Sequence, residues 1–502
     1  SMNKMWQICE VDKEKVEKLK SKYGISELLA TILVNKNITT QKEIEEFLNP
    51  TRNDFFDPFL INDMDIAVER IRKAIETQEK VIIYGDYDVD GITSITVLKS
   101  FLKDVGLDVD YYIPNRLEEG YGLNKNAIDE IAKNKYTLMI TVDCGISAIE
   151  EVNYANSLGI EVIVTDHHEP GEELPKALAV IDNKRKDSKY PFRELAGVGV
   201  AFKVSQALAQ SMNVKEEEYL KYLDIVCVGT ISDIVPLISE NRVITKLGIK
   251  LLKQTRNTGL KAIINSSGYS QINSTTISFG VAPRINACGR MGKAEQALKL
   301  LLSKDIYEVN KLTQELNNYN RERQEIEKEI FESVLNKIEQ NNLDKNRTIV
   351  VGGEGWHHGV IGIVSSKITE KYFKPSILLS FEEDGTGKGS GRSIPGFDLH
   401  EALMKCENCL EKFGGHSMAV GLTLKKDKFE QFYDEFEKVA EENKTENIVP
   451  IINVDAKIEL NEIDKTVVED LKQLEPFGEA NKRPVFALKN INRSNNAFKI
   501  TR

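Results

Sequence analysis

The stretch Val81–Leu98, VIIYGDYDVDGITSITVL, decides the fold. Val81, Ile82 and Ile83 are β-branched and apolar, are bounded by Gly85, and read as a short buried strand. From Ile92 onward the apolar residues recur at helical spacing, which places Gly91 at a strand-to-helix turn. Asp86, Asp88 and Asp90 then crowd onto one loop at the carboxyl end of a strand. Like charges at that range repel, and burying them unpaired is costly. A hard divalent cation is the simplest partner, because carboxylates are its preferred ligands.

Outward from this stretch the alternation continues through VDYYIPN, TLMITVDCG and EVIVTDHHEP, each followed or preceded by a helical pattern. Continuous apolar strands alternating with helices indicate an α/β fold with a parallel sheet covered on both faces. A more helical part follows, containing YLDIVCVGTISDIVPL. From Lys304 to Asn342 the chain has no Gly or Pro and is dense in charge, the pattern of a long exposed helix joining two lobes. RTIVVGGEGWHHGVIGIVSSKI and PSILLSF then open a second α/β unit. The expected division is a helical segment over 1–60, closed by FLNPTRNDFFDPF, a catalytic parallel-sheet domain over 61–303 and a connecting helix over 304–342. A second α/β domain over 343–445 and the start of an OB-like β-domain over 446–502 complete it. That last part has too few strands to close a barrel, so the expectation is a truncated domain.

With 502 residues, 41% of them apolar and 29% charged, the composition is that of an ordinary soluble protein of two to four domains. SMNKMWQICEVDKEK has no apolar core of a secretory signal, and no run is long enough to span a bilayer, so a cytoplasmic protein without membrane partners is expected. The leading Ser-Met resembles a remnant of tag removal and is left out of the fold reasoning. The six cysteines are scattered, as suits reduced core thiols; Cys406 and Cys409 form a single CxxC without a second pair and read as helix residues. The net charge of −11 argues against a polyanionic partner until its distribution is considered. From Asn241 to Lys293 there is no Asp or Glu, while Arg242, Lys246, Lys250, Lys253, Arg256, Lys261, Arg284, Arg290 and Lys293 all fall there. A solvated face usually mixes both signs, so this segment reads as a docking surface for a polyanion, the plainer alternative being an unpatterned basic surface.

Two further strands end in similar chemistry. LMITVDCG delivers Asp143, and VIVTDHHEP delivers Asp166, His167 and His168; Asp233 in GTISDIVPL follows another apolar run. Alone, an aspartate after a strand is a turn former or helix cap, and a histidine is a surface or core residue. Together, at equivalent strand ends of an open parallel sheet, they converge where such sheets bind ligands. Mixed Asp/His ligation favours Mn²⁺, with Mg²⁺ second.

DYDVDG, VDCG, TDHHE and GTISDIVPL resemble, in order, the four motifs of the DHH phosphoesterase superfamily. GVAPRINACGRMG, WHHGVIGIVSSKI, GSGRSIPGFDL and FGGHSMAVGL are similar to the RecJ-type single-stranded-DNA exonucleases, the last three within their DHHA1 domain. LEPFGEANKRPVFAL resembles the start of their OB domain. The resemblance runs from about Phe59 to the end of the chain. It implies a 5′-to-3′ exonuclease that hydrolyses single-stranded DNA to 5′-mononucleotides in repair and recombination, using two ions of Mn²⁺ or Mg²⁺. Asp90, Asp143, His167 and Asp233 would bind one metal and Asp88 a second, with Asp143 bridging, Asp86 supporting and His168 facing the scissile phosphate. Tyr84 stands where some relatives carry histidine, and tyrosine is a poor ligand.

The same resemblance implies that Arg116, Ser390 and Arg392 anchor a terminal 5′ phosphate, a role suited to bidentate guanidinium contacts. Arg284 and Arg290 join them as substrate contacts. The glycines before His416 let backbone N–H groups approach phosphate, or simply form a turn. The long helix would leave a cleft wide enough for one strand. Implied partners are single-stranded DNA with a 5′ phosphate and a single-strand-binding protein or helicase. Two alternatives come from other classes. One is a phosphodiesterase acting on short oligonucleotides or cyclic dinucleotides or a pyrophosphatase, against which the acid-free segment and OB-like addition count. The other is a non-catalytic replication scaffold, against which the intact Asp88, Asp90, Asp143, His167 and Asp233 count.

Overall fold

Val81–Tyr84 form β2, the strand next to the centre of a five-stranded sheet in a computed structural model that describes residues 4–489. The sheet runs β3 (Asp110–Tyr112), β2, β4 (Leu138–Thr141), β5 (Glu161–Thr165), β6 (Ala179–Ile181), and every pairing is parallel. Successive residues feed opposite faces, as the pleat requires. Ile83, Ile140, Ile163 and Ile181 enter one core, while Ile82, Met139, Val162, Val164 and Val180 enter the other. The chain steps from β2 outward to β3 and then back across β2 to β4. The strand order therefore reverses between β2 and β4, where open sheets leave a crevice at their carboxyl ends.

The helix after β2 begins earlier than the apolar spacing indicated. It spans Val89–Asp104 with Asp88 as its N-cap, the Asp88 carboxylate accepting from Gly91 N–H at 2.8 Å. Only Asp86 stays in a loop; Asp90 and Gly91 lie in the first helical turn. Gly91 is needed for space: a Cβ there would stand 2.5 Å from Asp86 Cβ.

The long helix is Ile306–Gln340. It is not exposed all round, for Val309, Leu312 and Leu316 join the core of the first lobe and Ile330, Val334 and Ile338 that of the second. The second lobe holds a mixed five-stranded sheet. In it β7 (Ile349–Glu354) pairs in parallel with β8 (Ser376–Phe381), and β9 (Thr386–Arg392), β11 (Ala419–Lys425) and β10 (Lys412–Gly415) continue antiparallel. Cys406 and Cys409 sit at the end of the Leu399–Lys405 helix and in the turn after it.

The two ends of the chain meet. β1 (Met5–Ile8) pairs in parallel with β12 (Ile451–Val454), and β13 (Ala456–Ile458) with β14 (Phe486–Leu488). Leu474 packs into the core formed by Val16, Leu29 and Leu33. The first sixty residues thus contribute a strand as well as helices. Arg242 ties this junction: it is buried, lies over the Phe47 ring, and donates to the carbonyls of Phe47, Gln473, Leu474 and Glu475. Residues 490–502, part of the expected OB-like domain, lie outside the described residues.

Candidate active site

Asp86, Asp88, Asp90, Asp143, Asp166, His167, His168 and Asp233 are brought together at the carboxyl ends of β2, β4 and β5 and at the end of the Leu223–Ser232 helix. Their donor atoms form three overlapping groups: Asp86 with Asp88 and Asp143; Asp90 with His167 and Asp233; and Asp143 with Asp166, His167 and His168. Asp143 is shared, as a bridging ligand would be. Its backbone is left-handed (φ 57°), and Gly197 leaves it room, since a Cβ there would come within 2.6 Å of Asp143 Oδ1. Asp90 is held at the N-terminus of the Gly197–Ser211 helix, its two oxygens accepting from Gly197 N–H and Val198 N–H at 2.8 Å each.

Backbone amides supply only part of the neutralisation. His167 Nε2 lies 2.9 Å from Asp143 Oδ1, 3.4 Å from Asp90 and 3.7 Å from Asp233. Yet Asp143 Oδ1 and His167 Nε2 are both buried without a hydrogen bond, so they face each other as donors to a common third atom would. Burial, and then the charges of Asp90, Asp88, Asp86 and Asp233, pushes the Asp143 carboxyl well above its usual range. Burial likewise raises Asp86 and Asp233 well above it, and raises Asp88 and Asp90. Hard oxygen donors with one imidazole fit Mn²⁺ or Mg²⁺.

His168 is differently placed. Its Nδ1 pairs with Asp166 at 2.6 Å; burial acts against its charged form, but Asp166 outweighs burial and the imidazole is raised above its ordinary value. Tyr121 hydroxyl bridges Asp143 O (3.1 Å) and His168 Nδ1 (3.2 Å). Tyr84, by contrast, is fully buried and donates its hydroxyl to Gly122 O at 2.9 Å.

Facing these carboxylates is a cluster of opposite sign. Arg116, Arg290 and Arg392 lie near enough for their charges to act on one another. Burial, then the Arg116, Arg323 and Arg392 guanidiniums, lowers Arg290 to about 10. Burial and Arg116 lower Arg392. Their hydrogen bonds go to backbone carbonyls, Arg290 to Gly359 O (2.7 Å) and Arg392 to Gly391 O (2.8 Å). Arg392 and Ser390 abut Gly362 at the start of the Ile361–Tyr372 helix, where a Cβ would meet Arg392 Nη2 at 2.7 Å and Ser390 Oγ at 3.6 Å. Arg116 reaches the anionic side as well, its charge lowering Asp86 and Asp88.

Two expected contacts stand apart. Arg284 is half-buried and spends two nitrogens on Asn317 Oδ1 and Gly280 O, both at 2.7 Å. His416 is exposed on the hairpin before Ala419, and its Nδ1 accepts from Met418 N–H. The acid-free segment is also divided: Arg242 and Lys246 bond carbonyls of the C-terminal segment, whereas Lys250, Lys253, Arg256, Lys261 and Lys293 are exposed. Sequence reasoning passed over Tyr121, Asp182 and His357. Burial, then the charge of Asp166, raises Asp182 to about 8 at the end of β6, a three-residue strand too short to stand out. His357 lies among the guanidiniums with its Nδ1 accepting from Gly359 N–H (3.0 Å); the doubled histidine of WHHG was its signal.

Three domain families match: the DHH family N-terminal domain over residues 80–230, the DHHA1 domain over 345–442, and the RecJ OB domain over 454–500. The chain is 40% identical over 489 residues to the single-stranded-DNA-specific exonuclease RecJ of Bacillus subtilis, covering 97% of this chain and 61% of that protein. It is 34% identical over 482 residues to RecJ of Dickeya dadantii, covering 91% of this chain and 83% of that protein. The crystal structure of RecJ in complex with Mn²⁺ from Thermus thermophilus superposes with a TM-score of 0.84 at 29% identity, over 96% of this chain and 69% of that one.

Proposed function

The chain belongs to the RecJ family, and from that membership we propose that it is a metal-dependent exonuclease degrading single-stranded DNA from its 5′ end to 5′-mononucleotides. One observation carries the reading: a carboxylate–imidazole cluster sharing Asp143 sits beside Arg116, Arg290 and Arg392, which outnumber the single Glu327 carboxylate near them and form no ion pair of their own among the described residues, with Arg116 acting on both. Metal ions, Mn²⁺ in preference to Mg²⁺, when bound acidify a water and offset charge on the phosphate and the departing oxygen. Asp90, His167, Asp233 and Asp143 would hold one ion, and Asp88, Asp86 and Asp143 a second. Asp166 fixes Nδ1 of His168, which leaves Nε2 to meet the scissile phosphate. Arg392, Ser390, Arg290 and Arg116 grip the terminal phosphate, aided by the N-terminus of the Ile361–Tyr372 helix.

A terminal-phosphate grip at Arg392, Ser390, Arg290 and Arg116 would admit the strand by its 5′ end only. His416 and Arg284 are held in reserve as outer contacts. A role in repair and recombination, a cytoplasmic location, and recruitment by a single-strand-binding protein or helicase rest on the family alone. Among the described residues no helix is long and apolar enough to cross a membrane. The test is a pair of single strands labelled at the 5′ or the 3′ end and digested with Mn²⁺. The 5′ label is expected first, as a mononucleotide, with blunt duplex a poor substrate. Early loss of the 3′ label overturns the polarity.

A further inference from the structure

A groove of the first lobe, lined by none of the metal ligands, lies between the Thr258–Ser266 helix and the front half of the Ile306–Gln340 helix. It encloses about 950 Å³, and no acidic side chain lines it. Amides and hydroxyls, among them Asn265, Gln314 and Asn317, line it together with the apolar Ala262 and Ile306 and three cations, Arg256, Lys261 and Arg321. Among the described residues Arg256 and Lys261 have no ion-pair partner, and Arg321 bonds only the neutral Asn318. Other cations of the same stretch and of the same helix are engaged. Arg242 and Lys246 are consumed by carbonyls, and Arg323, two residues beyond Arg321, is paired with Glu327.

A merely solvated helix face mixes charges of both signs. Here Ile306, Asn310, Thr313, Gln314, Asn317 and Arg321 form one face of a helix that is dense in Glu elsewhere, and that face carries none. Neutral donors interleaved with unpaired cations are the groups that bond phosphates and sugars without reading sequence. The groove is also joined to the site. Asn317 accepts from Arg284 Nε, and Arg284 shares the Ala282–Arg290 helix with Arg290, six residues or about 9 Å of helix away.

We propose that this groove is a second contact for the substrate strand, holding its phosphate backbone beyond the nucleotides engaged between the lobes. The proposal rests on the reading of the substrate as a single strand. It makes binding depend on strand length in a way the metal site and the terminal-phosphate grip cannot.

The experiment compares 5′-phosphorylated single strands of about 6 and about 30 nucleotides by fluorescence anisotropy with Mn²⁺, in an Asp143→Asn background to stop turnover. Arg256 and Lys261 are exposed, so Arg256→Gln/Lys261→Gln keeps the fold, which circular dichroism verifies. The double variant is expected to bind the short strand as before and the long strand about tenfold more weakly. Its slope of log K against log salt should flatten by about 1.4, or ~0.7 for each of two lost phosphate contacts. An unchanged length dependence and slope overturn the proposal while leaving the exonuclease reading intact. Failure of the parent protein to bind either strand overturns both. Loss of affinity for polyglutamate, with strand binding unchanged, assigns the groove to an acidic protein segment and overturns it too.

Discussion

Two clusters of opposite sign, each partly withdrawn from solvent, stand side by side in this molecule, and only Arg116 offsets any of the anionic charge from the cationic side. The anionic one draws on β2, β4, β5 and the Leu223–Ser232 helix, and backbone amides at Gly91, Gly197 and Val198 offset only part of its charge. The cationic one draws on Arg116, Arg290 and Arg392 from two lobes; carbonyl oxygens accept from Arg290 and Arg392, and the one carboxylate acting on Arg290, Glu327, offsets only part of the charge. Buried charge is handled differently elsewhere: Lys203 meets Glu240 at 2.8 Å with both side chains fully buried, and Arg242 is enclosed by four backbone carbonyls. At the two clusters like charges are instead massed together, and the cost is recovered when ligands arrive, cations on one side and phosphate on the other.

The hardest way to break the comparison is to withhold the cations. In excess EDTA hydrolysis should vanish altogether and return best with Mn²⁺. Undiminished turnover in chelator would mean that the carboxylates serve some other purpose.

Next in size is Asp143→Asn, which keeps the shape and removes the shared charge. Turnover should fall by more than about 10³-fold, since a ligand common to both groups is lost. Metal-free thermal stability should not fall, because the carboxyl it replaces is buried among like charges. Added Mn²⁺ should raise the melting temperature of the parent and much less that of the variant. A large stability loss without metal would show the anionic cluster to be structural.

How much of this was legible before the structure follows from the same contrast. The anionic cluster announces itself in sequence, because parallel strands are continuous apolar runs and their ligands follow immediately. Even there the start of the helix was misplaced, since DVDG reads as a polar turn although Asp88 caps a helix that already contains Asp90. The cationic cluster has no local signature: its three arginines are separated by more than a hundred residues, and only resemblance pointed to Arg116 and Arg392. A run of lysines and arginines free of acid looked like one surface. The fold divides it, because Arg242 finds buried carbonyls that no local pattern reveals. The pairing of β1 with β12 joins residues over four hundred apart and was equally invisible.

Arg392→Ala probes the cationic side. A charge-assisted contact is worth about 1.5–3 kcal/mol, so preference for a 5′-phosphorylated over a 5′-hydroxyl strand should shrink roughly 10- to 100-fold. Chemistry on the hydroxyl strand should change little. If both substrates slow equally, Arg392 merely closes the loop through Gly391 O.

The smallest effect sharpens the boundary between the clusters. The loop after β3 carries Arg116 into one and Tyr121 into the other, only five residues apart. Tyr121 touches no ligand of the cationic side; its hydroxyl spans Asp143 O and His168 Nδ1. Tyr121→Phe keeps the ring that packs edge-on against His168 at 5.8 Å and removes only those bonds. A hydrogen bond that orients an imidazole contributes about 0.5–1.5 kcal/mol, so kcat should fall a few-fold, to about tenfold at most. The preference for a 5′ phosphate should not move, because Arg116 approaches the Tyr87 ring and is steadied from that side. Measuring kcat on phosphorylated and unphosphorylated strands separates the outcomes. A lower kcat with an unchanged ratio means that the two clusters act independently across a shared loop. A ratio that collapses along with kcat means that Tyr121 and Arg116 move together, and the division into an anionic and a cationic site gives way to one coupled unit.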